Sequence, residues 1–110
     1  MEDPKVSQVF QEVLAKTKAG KIKWEPSASV TEYFAVLPGD FTITISWIDL
    51  SPLDLGRFEF TLKQDDQEIF QIFSEFANGG KLQELYNLAR GEVLRIDAKV
   101  DELLGELAKM

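Results

Sequence analysis

The chain has 110 residues, of which 45% are hydrophobic and eight are Phe, so its length and composition predict one folded domain with an apolar core. It contains no Cys and no His, which excludes disulfides, thiolate nucleophiles, Cys-ligated zinc and the usual histidine general base. Its formal net charge of −7 opposes sequence-independent binding to the phosphate backbone of nucleic acids.

The first predicted element is an amphipathic helix over residues 4–19. Asp3 followed by Pro4 is typical of a helix N-terminus, because Asp caps the first backbone N–H groups and Pro suits the first helical position. Gly20, which follows two lysines in the last turn, is typical of a C-terminus. The positions that recur at helical spacing and predict a packed face are Val6, Phe10, Val13, Leu14 and Thr17.

A β-meander is predicted to follow, because apolar and polar residues alternate in several short runs. The alternation is without exception over residues 41–47 and again over residues 57–63, which are predicted as the two central strands. Residues 31–37 are predicted as the strand before them, joined to the first central strand by a tight Pro-Gly turn. Residues 21–25 fit either a short strand or an extended connector.

Two later segments leave alternatives open. Residues 68–76 fit a helix or a strand, and their aromatic and β-branched residues favour a strand that ends at Phe73. The leucine-rich loop over residues 49–56 fits a cap on the end of the core better than a mobile lid.

The last predicted element is a long helix from Lys81 to Lys109. Its apolar residues recur at alternating spacings of four and three, which is the pattern of a coiled-coil seam. A continuous helix of this length would extend beyond so small a domain, so we expect its end to meet a partner, with a homodimer favoured. The alternative is a bend near Gly91 that folds the end back on the first helix. The residues assigned to the oligomer interface are Val93, Ile96, Val100, Leu103 and Leu107.

The remaining side chains offer little for catalysis. Acidic pairs such as Asp97 and Asp101 are typical of a solvated helix surface, so no catalytic residue, metal site or cofactor is predicted. One basic segment beside an aromatic residue, Lys21, Lys23 and Trp24, is the weak candidate for binding a nucleotide or another small ligand. The alternative places Trp24 in the core and the lysines in solvent.

The outer face of the sheet is a further candidate for a partner surface. Its polar positions on the central strands are Thr42, Thr44, Ser46, Glu59, Thr61 and Lys63. The neighbouring strands are expected to place apolar residues beside this strip, Phe34 and Val36 on one side and Phe70 and Ile72 on the other.

Two motifs resemble those of a family of small, standalone, uncharacterised bacterial proteins. The first is the Lys-Thr-x-x-Gly-Lys-Ile-x-Trp opening at residues 16–24, and the second is the Leu-x-x-Leu-Tyr-x-x-Ala-Arg segment at residues 82–90. The resemblance extends over most of the chain and implies a bacterial or phage origin. It implies no activity and no site residues.

Together these patterns predict a single α+β domain over residues 1–110: an N-terminal helix, an antiparallel meander of about four strands, and a long C-terminal helix packed on one face of the sheet. The expected function is that of a non-enzymatic, self-associating interaction or regulatory protein, with small-ligand binding as the alternative. Without a basic, apolar leader or a run of about 20 apolar residues, we expect a cytoplasmic protein that binds neither membrane nor nucleic acid.

Overall fold

The fold is α+β, as predicted, with five antiparallel strands rather than four. A computed structural model describes residues 4–48, 56–73 and 79–110. Asp3 and the leucine-rich loop, except for its last residue Gly56, lie outside the described residues. The elements in chain order are α1 (Pro4–Lys18), β1 (Glu25–Pro26), β2 (Glu32–Leu37), β3 (Phe41–Ile48), β4 (Arg57–Gln64), β5 (Gln67–Phe73), α2 (Gly79–Leu94) and α3 (Ile96–Ala108).

The sheet is a simple meander in which each strand pairs with its neighbour in the chain, in the order β1-β2-β3-β4-β5. Its register places Tyr33 opposite Ile45, and Ile45 opposite Phe60. Since these residues share one face, that face becomes the apolar side of the sheet. The additional strand is β1, within the extended segment that precedes β2 and pairs with it.

A bulge in β5 changes which of its residues reach the core. The turn between β4 and β5 has positive φ at both Asp65 and Asp66, as a two-residue hairpin turn requires. The register then shifts between Leu62 and Lys63, so that Leu62 pairs with Phe70 instead of Ile69. The prediction that Phe70 and Ile72 lie on the outer face is therefore wrong. The strand assignment through Phe73 is confirmed.

Helices α1 and α2 pack together on the apolar face of the sheet. The rings of Phe10 in α1 and Phe60 in β4 pack in a T-shaped arrangement, with centroids 5.2 Å apart. An ion pair of 2.7 Å joins the exposed side chains of Lys18 and Glu84 across the two helices. The helix residues that are buried in the core are Phe10, Val13 and Leu14 of α1 and Leu82, Leu85 and Ala89 of α2.

The predicted long helix is interrupted at Arg95, and Gly91 lies within α2. Arg95 has φ of 52° and ψ of 49°, the left-handed conformation, which a right-handed helix does not pass through. Neither a continuous helix nor a break at Gly91 is therefore observed. One residue separates α2 from α3, and it redirects the chain.

Candidate interaction surfaces

Five of the nine exposed large apolar side chains among the described residues lie on α3. Five residues of this helix, the α3 stripe, are between 39% and 58% exposed: Ile96, Val100, Leu103, Leu104 and Leu107. Each of them lies three or four positions from another member, so together they form one continuous side of the helix. The radius of gyration is 15.8 Å, whereas about 13 Å is typical of a compact domain of this length. Helix α3 therefore extends away from the core.

The structure divides the predicted seam into two parts with different roles. Its first part belongs to α2, where Leu82 and Ala89 are buried and Val93 packs against the core. Four of the five predicted interface residues belong to the α3 stripe, and Val93 does not. Leu104, the most exposed member of the stripe, falls outside strict a/d spacing and is not among the predicted interface residues.

A groove runs along α1, beside the turn that joins β2 to β3. Its volume is about 680 Å³, within the usual range for binding pockets. The apolar residues that line this α1 groove are Val9, Val13, Ile22, Leu37, Pro38 and Phe41. The charged residues along it are Lys5, Glu12, Lys16 and Lys21, so lysines outnumber carboxylates three to one.

The segment after α1 holds its shape through a C-terminal cap. Gly20 has φ of +73°, its N–H donates to the carbonyl oxygen of Thr17 at 3.0 Å, and the N–H of Lys21 donates to that of Lys16 at 2.9 Å. These two bonds form a Schellman motif, which turns the chain sharply after a helix. The first motif of the family resemblance thus corresponds to a structural turn.

Trp24 lies at the end of this turn and is only 3% exposed. Its indole Nε1–H donates to Thr17 Oγ1 at 3.1 Å, and its backbone N–H donates to Glu92 Oε2 at 2.5 Å. Because the ring is enclosed, it offers no open face for a base to stack on. This placement favours the alternative in which Trp24 belongs to the core. The two predicted ligand lysines are exposed, and of these Lys21 lines the α1 groove.

An aromatic cluster closes the apolar side of the sheet beside α2. The Tyr86 ring lies 5.5 Å from Tyr33 and 5.2 Å from Phe58, and Phe58 lies 4.7 Å from Trp47, measured between centroids. Burial raises the pKa of Tyr86 above its ordinary value of 10.0, and both the charge and the hydrogen bond of Tyr33 raise it further. Arg90 opposes this shift.

We expect stability to fall at alkaline pH in a way that depends on Tyr86. Because its pKa is higher in the folded state than in the unfolded state, its contribution is complete below pH 10.0 and is lost as the pH rises through the folded pKa. Urea unfolding of the wild type and Tyr86→Phe between about pH 9 and about pH 11 measures this contribution. The variant should lose less stability over that interval, and equal slopes would contradict the prediction.

Two residues of the polar strip on the outer face of the sheet, Thr61 and Glu59, bond to neighbouring side chains. Gln71 Nε2 donates to Thr61 Oγ1 at 3.1 Å, and Arg57 pairs with Glu59 at 2.9 Å. The Arg57 guanidinium also lies 4.1 Å from the centroid of the Phe73 ring. The pairing of Phe34 with Thr44 confirms the apolar margin predicted on β2. On β5, the pairing of Phe73 with Glu59 puts Phe73 in the place predicted for Phe70 and Ile72.

Among the described residues, no group of three or more Asp or Glu side chains is arranged to hold a metal ion. No described helix combines the length and the apolar character that a membrane span requires. Comparison of the chain with protein-family models, curated proteins and solved structures finds no match. Two surfaces of the described residues, the α3 stripe and the α1 groove, are therefore the candidates for binding a partner or a ligand.

Proposed function

We propose that the protein is a non-enzymatic interaction or regulatory protein that associates with itself, as a dimer, through helix α3. The observation that supports this proposal is the α3 stripe, five large apolar residues that the rest of the described fold leaves about half exposed. An apolar surface of this kind on a soluble protein is typical of an interaction site.

The energetics favour an association that depends on concentration. Burying the exposed half of one such side chain contributes about 1 kcal/mol, so the stripes of two copies together contribute about 10 kcal/mol. Association costs several kcal/mol in translational, rotational and side-chain freedom. The difference is small, so the dimer should dissociate on dilution.

The wider setting follows from the chain's charge and its resemblance. The net charge of −7 argues against nucleic acid as the partner. We place the protein in the cytoplasm of a bacterium or phage-infected cell, among the small standalone proteins that it resembles.

The double variant Leu103→Gln, Leu107→Gln should be monomeric at concentrations where the wild type is a dimer. Both side chains are more than half exposed, and Gln has nearly the same helix propensity as Leu, so the fold should be unchanged. Size-exclusion chromatography with light scattering measures the mass, and circular dichroism checks the helix content.

The matched control is Lys99→Gln, which changes an exposed polar residue of the same helix that the proposal does not use. This control should dimerise like the wild type. A wild type that remains monomeric at high micromolar concentration would contradict the proposal, and so would a Leu103→Gln, Leu107→Gln variant that remains dimeric.

Small-ligand binding is a second candidate function, and the α1 groove supports it. Lys21 lies along this groove, so an anionic group of a ligand would meet a cation while its apolar part met Val9, Ile22 and Phe41. A thermal-shift screen with nucleotides, metabolites and fatty acids tests this candidate. The absence of any shift would count against it.

A further inference from the structure

We propose that α3 of one copy docks in the α1 groove of a second copy, so that two copies exchange their C-terminal helices reciprocally. This inference rests on the proposed self-association and specifies the surface that receives the α3 stripe. Three observations support it: the lengths of the two surfaces, their charges, and the short connection between α2 and α3.

The two surfaces have the same length. The residues of α1 that line the groove run from Lys5 to Lys16, and the α3 stripe runs from Ile96 to Leu107. Each run spans eleven helical steps, or about 16 Å. A groove between a helix and a hairpin also suits a helix better than a flat surface does, because the apolar side of the helix meets walls on both sides.

The two surfaces have opposite charge. The lysines along the groove, Lys5, Lys16 and Lys21, outnumber its one carboxylate, Glu12. Helix α3 carries four acidic residues and one lysine within its bounds, and three of the acidic residues are Asp101, Glu102 and Glu106. Docking α3 in the groove therefore brings opposite charges together. Pairing two copies of α3 along their stripes would instead bring two acidic helices together.

The connection at Arg95 favours a second copy over the same chain. Arg95 is the single residue between α2 and α3. Its N–H donates to the carbonyl oxygen of Glu92 at 3.3 Å, and its carbonyl accepts from the N–H of Lys99 at 3.0 Å. The last turn of α2 and the first turn of α3 both use backbone groups of Arg95 for hydrogen bonds. Turning α3 back toward α1 of the same chain would therefore break a turn of one of the two helices. The groove of another copy requires no such rearrangement.

Charge reversal tests the proposed contact. The variant Lys16→Glu, Lys21→Glu should raise the dimer dissociation constant by about tenfold or more, and so should Glu102→Lys, Glu106→Lys. All four side chains are exposed, so the fold should be retained. An equimolar mixture of the two variants should associate more tightly than either variant alone, because both contacts of a mixed dimer are attractive, one with the original charges and one with the charges exchanged. Analytical ultracentrifugation measures these constants.

The matched control for the groove is Lys23→Glu, which makes the same charge change at an exposed lysine that does not line the groove. It should leave the dissociation constant within about threefold of the wild type. An equal effect of Lys23→Glu and Lys21→Glu would show that net charge, rather than the groove, controls association, and would overturn the inference.

Cross-linking provides a direct readout, because the chain has no Cys of its own. Gln8→Cys places a thiol on the groove, and Leu104→Cys places one on the α3 stripe. Mixing the two variants with a short bismaleimide should link a Gln8→Cys chain to a Leu104→Cys chain. Links between two Leu104→Cys chains, with none to Gln8→Cys, would show that the stripes pair with each other.

The outcomes separate this inference from the proposed function. A monomeric wild type overturns both. In a second outcome, the dimer dissociates in the variant Leu103→Gln, Leu107→Gln while Lys16→Glu, Lys21→Glu leaves its dissociation constant unchanged. That result overturns only the groove as the docking site. Helix α3 and a fatty acid would require the same space in the groove. Binding of a fatty acid there without any change in the dissociation constant of the dimer therefore also overturns the groove as the docking site.

Discussion

Trp24→Ala is expected to lower the free energy of unfolding by about 4 kcal/mol, which corresponds to a fall in Tm of about 15 °C. Trp24 is 3% exposed, so the substitution removes a large side chain from the core and leaves a cavity. It also removes the indole donor to Thr17 Oγ1. Urea unfolding followed by far-UV circular dichroism measures the loss.

Two further variants separate the contributions at this position. Trp24→Phe keeps most of the ring but removes the N–H donor, and should cost about 1–2 kcal/mol more than a simple loss of volume predicts. Lys23→Ala, at the exposed neighbouring residue, should change stability by less than about 0.5 kcal/mol. A loss below about 1 kcal/mol for Trp24→Ala would show that Trp24 is not a core residue, and would favour its assignment to a ligand site.

Gly56→Ala is expected to destabilise the protein by about 3 kcal/mol, for two separate reasons. Gly56 has φ of +82°, which is unfavourable for residues with a Cβ. A Cβ at this position would also overlap the carbonyl oxygen of Ile48 and lie 2.6 Å from Cζ2 of Trp47. Since the obstacle includes backbone at the end of β3, the strand itself would have to move.

The matched control for Gly56→Ala is Gly20→Ala. Gly20 has a similar φ of +73°, but a Cβ there would meet nothing within 4 Å. Its substitution should therefore cost only the conformational penalty, about 1 kcal/mol. Thermal unfolding of the two variants measures the difference. Equal losses would indicate that the packing of Gly56 against Trp47 relaxes without cost.

The central strands could be predicted from the sequence because their alternation of apolar and polar residues matches the two faces of the sheet, only one of which packs against the described helices. Phe41 to Trp47 alternates apolar and polar residues, and the structure buries Ile43 and Ile45 as that alternation requires. The bulge could not be predicted in the same way. The turn at Asp65 and Asp66 alone would pair Leu62 with Ile69, and only a one-residue shift brings Phe70 and Ile72 to the core.

The break at Arg95 also has no sequence signal. Arg favours helices, whereas Gly91 is the residue that a propensity scale identifies as weak. In the structure Gly91 remains helical while Arg95 adopts the left-handed conformation. The α3 stripe could be predicted from spacing, since the alternation of fours and threes includes four of its five members. The α1 groove could not, because it joins residues of α1, the segment after it and the β2–β3 hairpin.

The bulge at Ile69 has a consequence for how copies of this protein can meet. Strand β5 is the last strand of the sheet, and a regular outer strand would present an unbroken row of backbone donors and acceptors to any similar strand. The shift between Leu62 and Lys63 interrupts that row. A strand of a neighbouring molecule therefore cannot pair regularly along the whole of β5. This interruption opposes extension of the sheet into a fibril, although Ile69 is half exposed there.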